Sequence, residues 1–125
     1  MRWFDTHCHL DRFPPGNDLA AALLRARRAG VEKIVVPGVA GLPQKVAELV
    51  VCGDIGLAWG VHPDIIDTVN TGEYSDQPWR TAGFVPVAIG ECGLDRRSRH
   101  SLEEQVQIFV WQLELAVKYD LPAII

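Results

Sequence analysis

The sequence contains no apolar run long enough to cross a bilayer, so no stretch of it reads as a transmembrane helix. It also lacks an excess of positive charge. The formal net charge is −4 and the pI is near 5.5, whereas a surface that binds nucleic acid without sequence preference is normally basic. Any contact with phosphate must therefore come from a local cluster of cations or from bound metal. Cysteine is scarce as well. Cys8, Cys52 and Cys92 stand far apart, no two form a C-x-x-C pair, and an odd number argues against a disulfide scaffold. Three reduced thiols in a cytoplasmic setting are the expectation. The opening "MRWFDTHCHL" reads as too polar for a secretory signal. The chain does have 48% hydrophobic residues, enough for a core, and 125 residues set one domain as the upper limit.

Short apolar stretches alternate with helical ones. "RWFDTH" (2–7) reads as a strand ending near His9. "NDLAAALLRARRAG" (17–30) reads as a helix with Asn17 at its cap and Gly30 just past its end. "KIVVPG" (33–38) is a continuous apolar strand, as when both faces are buried. "LPQKVAELVVC" (42–52) is a second helix with Pro43 in its first turn. "IGLAWGVHP" (55–63) and "FVPVAIGECG" (84–93) supply two more strands, and the polar stretch 67–83 between them reads as a loop with at most a short helix. "SLEE" (101–104) is a capping box. Val106, Phe109, Val110, Leu113 and Val117 then follow at helical spacing and predict one buried face. "LPAII" (121–125) begins a fifth strand. This alternation predicts a parallel sheet flanked by helices. An open doubly wound sheet and part of a (β/α)8 barrel both satisfy it; a whole barrel needs about 250 residues.

The chemistry concentrates where strands end. In "DTHCHLD" (5–11), side chains alternate, so Asp5, His7 and His9 point one way and Cys8 the other. Two imidazoles so placed can reach one divalent ion; the competing reading is two ordinary polar residues at a strand end. Glu91, in "GECGLD" (90–95), falls at the end of the fourth strand, where a carboxylate needs a cation, donors or water. A salt bridge to a nearby arginine would satisfy it equally. In a parallel sheet the carboxyl ends of the strands gather on one rim, so His9, Glu91 and His62 of "GVHP" (60–63) should converge there. A carboxylate in that place can bridge two metals. His62 can take a metal or a phosphate oxygen, or be a loop histidine without a role. Arg96, Arg97 and Arg99 of "RRSRH" (96–100) offer phosphate contacts or a merely solvated basic loop. Cys8 and Cys92 read as packing residues.

"DTHCHLD", "GVHP", "IGECGLD" and "EEQVQIFVWQLELAVKYDLPAII", in this order and spacing, resemble the N-terminal half of a TatD-type metal-dependent deoxyribonuclease, over nearly the whole chain. The resemblance implies an α/β fold whose parallel βα units form the first half of a TIM barrel of the amidohydrolase kind, with residues 1–125 as a single domain. It implies that His7 and His9 bind one divalent metal and that Glu91 is the catalytic carboxylate that binds or bridges the metals. His62, with Asp95 beyond it, would lie at the substrate-binding rim. Asp5 would hold a histidine in one tautomer. Two divalent ions per complete site (Mg2+, Mn2+ or Zn2+) and 3′–5′ hydrolysis of DNA follow as expectations. Hydrolysis of a small amide or lactone, and a non-catalytic fragment, are the alternatives. The family pattern continues with two further histidines and an aspartate, while these residues stop at Ile125. A 125-residue species is therefore expected to show little or no nuclease activity and either to self-associate through open sheet edges or to be partly unfolded.

Thiol titration of the denatured, unreduced chain should count three free sulfhydryls; a count of one would mean that a disulfide exists.

Overall fold

The computed structural model describes residues 1–14, 16–41, 43, 46, 53–68, 77–80 and 85–125. Its strands are β1 (Trp3–Asp5), β2 (Val31–Val36), β3 (Ala40–Gly41), β4 (Ile55–Val61) and β5 (Ala88–Ile89), and its α-helices are α1 (Leu19–Arg28) and α2 (Leu102–Lys118). Short 3-10 turns cover Leu10–Arg12 and Pro63–Thr68.

β1, β2, β4 and β5 lie side by side in chain order and all pair in parallel. Ala123 continues the order through a parallel bridge to Ile89. Sequential parallel neighbours are the arrangement of a (β/α)8 barrel; a doubly wound sheet would reverse its order partway. The short β3 departs from the pattern by pairing antiparallel with the end of β4, Ala40 opposite Val61 and Gly41 opposite Gly60.

The helices begin and end on local chemistry. Asp18, not Asn17, caps α1, its carboxylate accepting from the Ala21 amide at 2.8 Å. Arg25, Arg27 and Arg28 occupy the last turn, where cations complement the helix dipole. Gly30 follows at φ +95°, the left-handed conformation that glycine adopts without strain. The Ser101–Glu104 capping box forms in both directions.

Two apolar clusters flank the sheet. Leu10, Leu23, Ile34, Val36, Val46, Ile55 and Leu57 form one, and Cys8 packs against it. Trp59, Val61, Ile66, Trp79, Ile89, Ile108, Trp111, Leu115 and Ala116 form the other. Its centre is aromatic: the Trp59 ring lies 5.4 Å from Trp111 and 6.0 Å from Trp79, and Trp79 lies 5.0 Å from Tyr119.

Several sequence expectations need correction. β1 stops at Asp5, so His7 and His9 follow the strand instead of ending it. β2 is not buried on both faces, since Lys33 is exposed between half-buried and buried neighbours. Regular β5 covers only Ala88–Ile89 of the expected 84–93. Of the stretch 67–83, the described residues are the end of the 3-10 segment Pro63–Thr68 and a turn at 77–80, within the expected loop with at most a short helix. The expected helix 42–52 and the rest of that loop lie almost wholly outside the described residues.

The largest correction concerns α2. The face that packs on the sheet carries Gln105, Ile108, Trp111, Gln112, Leu115 and Ala116. Val106, Val110 and Val117 are exposed, the last by 84%. Two glutamines disguise the buried face, because the backbone they meet makes them fit to be buried there. The Gln112 amide accepts from the Val61 N–H at 2.8 Å and donates to the Val61 carbonyl at 3.0 Å. It thereby completes both hydrogen bonds of the last residue of β4, one position before His62.

Substitution Gln112→Leu keeps the volume but orphans that buried N–H and C=O pair, at about 2–5 kcal/mol for two unmet backbone groups. Urea unfolding should register this loss; a change below about 0.5 kcal/mol would show that the bonds contribute nothing.

Candidate metal centre and adjoining cleft

Three backbone segments meet at the carboxyl rim of the sheet, and glycines let them do so. An added Cβ at Gly60 would sit 2.2 Å from the Gly90 carbonyl carbon and 2.6 Å from the Glu91 nitrogen. One at Gly38 would sit 2.0 Å from the Gly41 oxygen and 2.6 Å from the Gly60 nitrogen. Through this opening the Gly38 N–H donates to the Gly90 carbonyl at 2.9 Å, and the Glu91 N–H donates to the Gly38 carbonyl at 2.7 Å. Glu91 is thus fixed by its own main chain over the centre of the rim.

His7 and His9 reach the same point from the segment after β1. Glu91 Oε2 lies 3.5 Å from His7 Nε2 and 3.3 Å from His9 Nε2. The two imidazoles meet edge to face with centroids 5.2 Å apart. One donor atom from each of the three residues lies within 4.8 Å of the others. Donors each ~2.1 Å from a shared divalent ion stand roughly 3–3.5 Å from one another, so these separations suit an ion at their centre. Two neutral nitrogens and a carboxylate oxygen are also a donor set that zinc or manganese accepts.

The other imidazole nitrogen of His9 strengthens the fit. His9 Nδ1 and Asp11 Oδ1 are buried, 3.5 Å apart, and neither has a hydrogen-bond partner among the described residues. A slightly closer approach puts the proton on Nδ1, directed at Asp11, and leaves the Nε2 lone pair for a metal. Asp5 stands elsewhere, its Oδ1 accepting from the His7 backbone amide at 3.2 Å. Asp11 is therefore the acid facing an imidazole, a residue that sequence reasoning passed over although it closes the quoted motif.

His62 approaches Glu91 from the opposite side, its Nε2 lying 3.6 Å from Oε1. Its Nδ1 accepts from the Asp64 amide at 3.1 Å. The neutral ring consequently carries its proton on Nε2 and acts there as a donor. Beside it opens a cleft of about 380 Å3, lined among others by His62, Glu91, Leu94, Asp95, Arg97 and Ile125. Asp95 does not present a free carboxylate to that cleft. It accepts from the Arg97 backbone at 2.8 Å and from Arg97 Nε and Nη2 at 3.3 and 3.1 Å. Those bonds hold its carboxyl below the usual range. Cys92, next to Glu91, points into the core and donates to the Ile124 carbonyl at 3.4 Å. Burial, then the Glu91 charge, pushes its thiol up to about 11.

Known proteins resemble this chain over nearly its whole length. The family model described as TatD related DNase matches residues 4–125. An uncharacterized metal-dependent hydrolase, YjjV, of Escherichia coli (strain K12) is 36% identical over 132 residues, covering 99% of this chain and 50% of its own. The 3′-5′ ssDNA/RNA exonuclease TatD of Pectobacterium parmentieri is 32% identical over 124 residues, covering 95% and 47%. The crystal structure of the E. coli YjjV protein superposes with a TM-score of 0.74 at 34% identity, covering 98% of this chain and 49% of that one. The chain thus spans about half the length of the relatives it matches, and its βα units are those of the first half of a TIM barrel.

Asp11→Asn should lower divalent-metal affinity by about tenfold or more, the usual cost of losing an acid behind a ligand histidine. Isothermal calorimetry with Zn2+ checks this. Equal affinity for both proteins would remove Asp11 from the site.

Proposed function

The chain belongs to the TatD related DNase family, and we propose that its rim serves metal-dependent hydrolysis of phosphodiester bonds, specifically the release of nucleotides from DNA 3′ ends. The observation that carries the reading is the convergence of His7, His9 and Glu91 on one point. Residues 1–125 act in it as a single domain, the N-terminal half of the hydrolase barrel. His7, His9 and Glu91 are the residues that would hold a divalent ion. The second Glu91 oxygen lies 3.6 Å from His62 Nε2. The ions, when bound, supply Lewis acidity to the phosphodiester and its attacking water.

The chain's own groups do the positioning. Asp11 sets the His9 tautomer, the Gly38 carbonyl holds Glu91 in place, and His62 offers an N–H to an oxygen on the far side of Glu91. The relatives' names support both parts of the reading, since one is called a metal-dependent hydrolase and another a 3′-5′ ssDNA/RNA exonuclease. DNA is the substrate in this reading. Self-association belongs to it as well: β1 has a partner on one side alone among the described strands, and its Trp3 and Phe4 are 53% and 64% exposed.

Calorimetry with Mn2+ on the intact chain and on His9→Ala is the direct test. The substitution removes a ligand and should weaken binding more than about tenfold. Unchanged affinity would sink the metal assignment. Nucleotide release from a single-stranded 3′ end identifies the nuclease, and turnover of a cyclic amide alone would replace it with an amidohydrolase.

A further inference from the structure

The apolar row that helical spacing marks on α2 exists, but it faces outward. At about 100° per residue, Val106, Val110, Leu113 and Val117 lie roughly 140–200° round the helix from Ile108, which sits in the buried face. Leu113 is half-buried and the three valines are exposed. In the outer ring of a barrel, neighbouring helices pack on the flanks of α2, about 90° from the buried face. A row nearly opposite Ile108 therefore stays on the outside of such a ring, where only another molecule can cover it.

The row has the form of a helix-pairing seam. Its steps are four, three and four residues, the alternation along which two helices cross at about 20°. Its relief fits as well. Val110, Leu113, Glu114 and Val117, with Lys118 at the edge, border a shallow hollow of about 330 Å3. Residues at i, i+3, i+4 and i+7 are the four that frame a hole for one side chain of a facing helix. Three of the four are aliphatic, so the side chain that fills the hole is aliphatic too.

We propose that α2 is a dimerisation helix whose outer row packs antiparallel, across a two-fold axis, on the same row of a second copy of this chain. The row complements itself in that direction. Turned end for end about a point between Val110 and Leu113, it sets Val106 beside Val117 of the second copy. Val110 of the second copy then enters the hollow, and the contact repeats in reverse, as an isologous interface requires. The charges match in the same direction. Glu103 and Glu104 occupy the first turn and Lys118 the last, so antiparallel helices set acid near base at both ends and oppose their dipoles. Gln107 comes opposite Glu114, whereas a parallel pair sets like charge beside like charge. The contact is one helix wide and falls below the roughly 1,200 Å2 of a standard interface. The dimer therefore forms weakly, at about 10–100 μM. This surface is separate from the open edge at β1 and is independent of the reaction at the rim.

Sedimentation of the full chain over about 1–500 μM should show a reversible monomer–dimer equilibrium. Val110→Glu, at an exposed position, should keep the folded circular dichroism and weaken the dimer about tenfold or more, because it puts a charge in the hollow. Phe4→Lys, on the exposed edge of β1, should leave it unchanged. Orientation is read from a mixture. Copies with Val106→Lys and copies with Val117→Glu should pair with each other at least ~5-fold more tightly than either pairs with itself, since only antiparallel packing brings the new charges together. A monomer at every concentration would overturn the dimer helix and leave the row to a different partner. Association lost with Phe4→Lys and kept with Val110→Glu would overturn it in favour of the sheet edge. No gain in the mixture would overturn the antiparallel arrangement.

Discussion

Everything at the rim depends on main chains approaching more closely than side chains allow. Gly38, Gly60 and Gly90 stack where β2, β4 and β5 run out, and a methyl group at either of the first two would lie 2.0–2.2 Å from neighbouring backbone atoms. Removing Cβ there is what lets the Glu91 amide reach the Gly38 carbonyl. The position of the Glu91 carboxylate is therefore a property of the backbone. Glu91 does not need a neighbouring arginine to hold it, and its oxygens stay available to His7 and His9 on one side and His62 on the other.

A second layer of control comes from α2. Its two buried glutamines take backbone bonds that no strand supplies, two at Gln112 and three at Gln105. Gln112 completes Val61 at the end of β4, and Gln105 grips the loop that carries Asp95 and Arg97. One helix thus sets the heights of both walls of the cleft. Packing does the rest: Ile108, Trp111 and Leu115 press the helix onto Trp59 and Ile89, and burial of such side chains contributes about 1.5–3 kcal/mol each.

Much of this was legible in the residues. Two histidines two apart, followed some eighty residues later by a glutamate after an apolar strand, implied a shared rim, and the chain brings those atoms together. The capping box and the parallel alternation were equally plain, because each rests on short-range pattern. What escaped depended on tertiary partners. The apolar residues of α2 lie on more than one side, and Gln105 and Gln112 count as polar until the backbone beneath them is known, so periodicity selected Val106, Phe109, Val110, Leu113 and Val117, of which Phe109 and Leu113 are half-buried and the three valines exposed. Strand alternation aligned Asp5 with the histidines, but β1 ends at Asp5, and beyond a strand end parity no longer decides direction. Asp11 then comes round to His9 through the 3-10 turn at Leu10–Arg12.

The aromatic cluster has an optical consequence. Trp59, Trp79 and Trp111 sit with ring centres 5.4–6.0 Å apart along the Trp59 contacts, and Tyr119 stacks its edge within 5.0 Å of Trp79. Chromophores this close share excitation, so the four rings form one coupled seam where β4, the turn at 77–80 and the end of α2 meet. Trp3, more than half exposed on β1, stands outside that seam and emits from a watery environment at longer wavelength. Blue and red portions of the intrinsic fluorescence therefore belong to different ends of the sheet, and the molecule carries two native reporters that can be read separately without a dye.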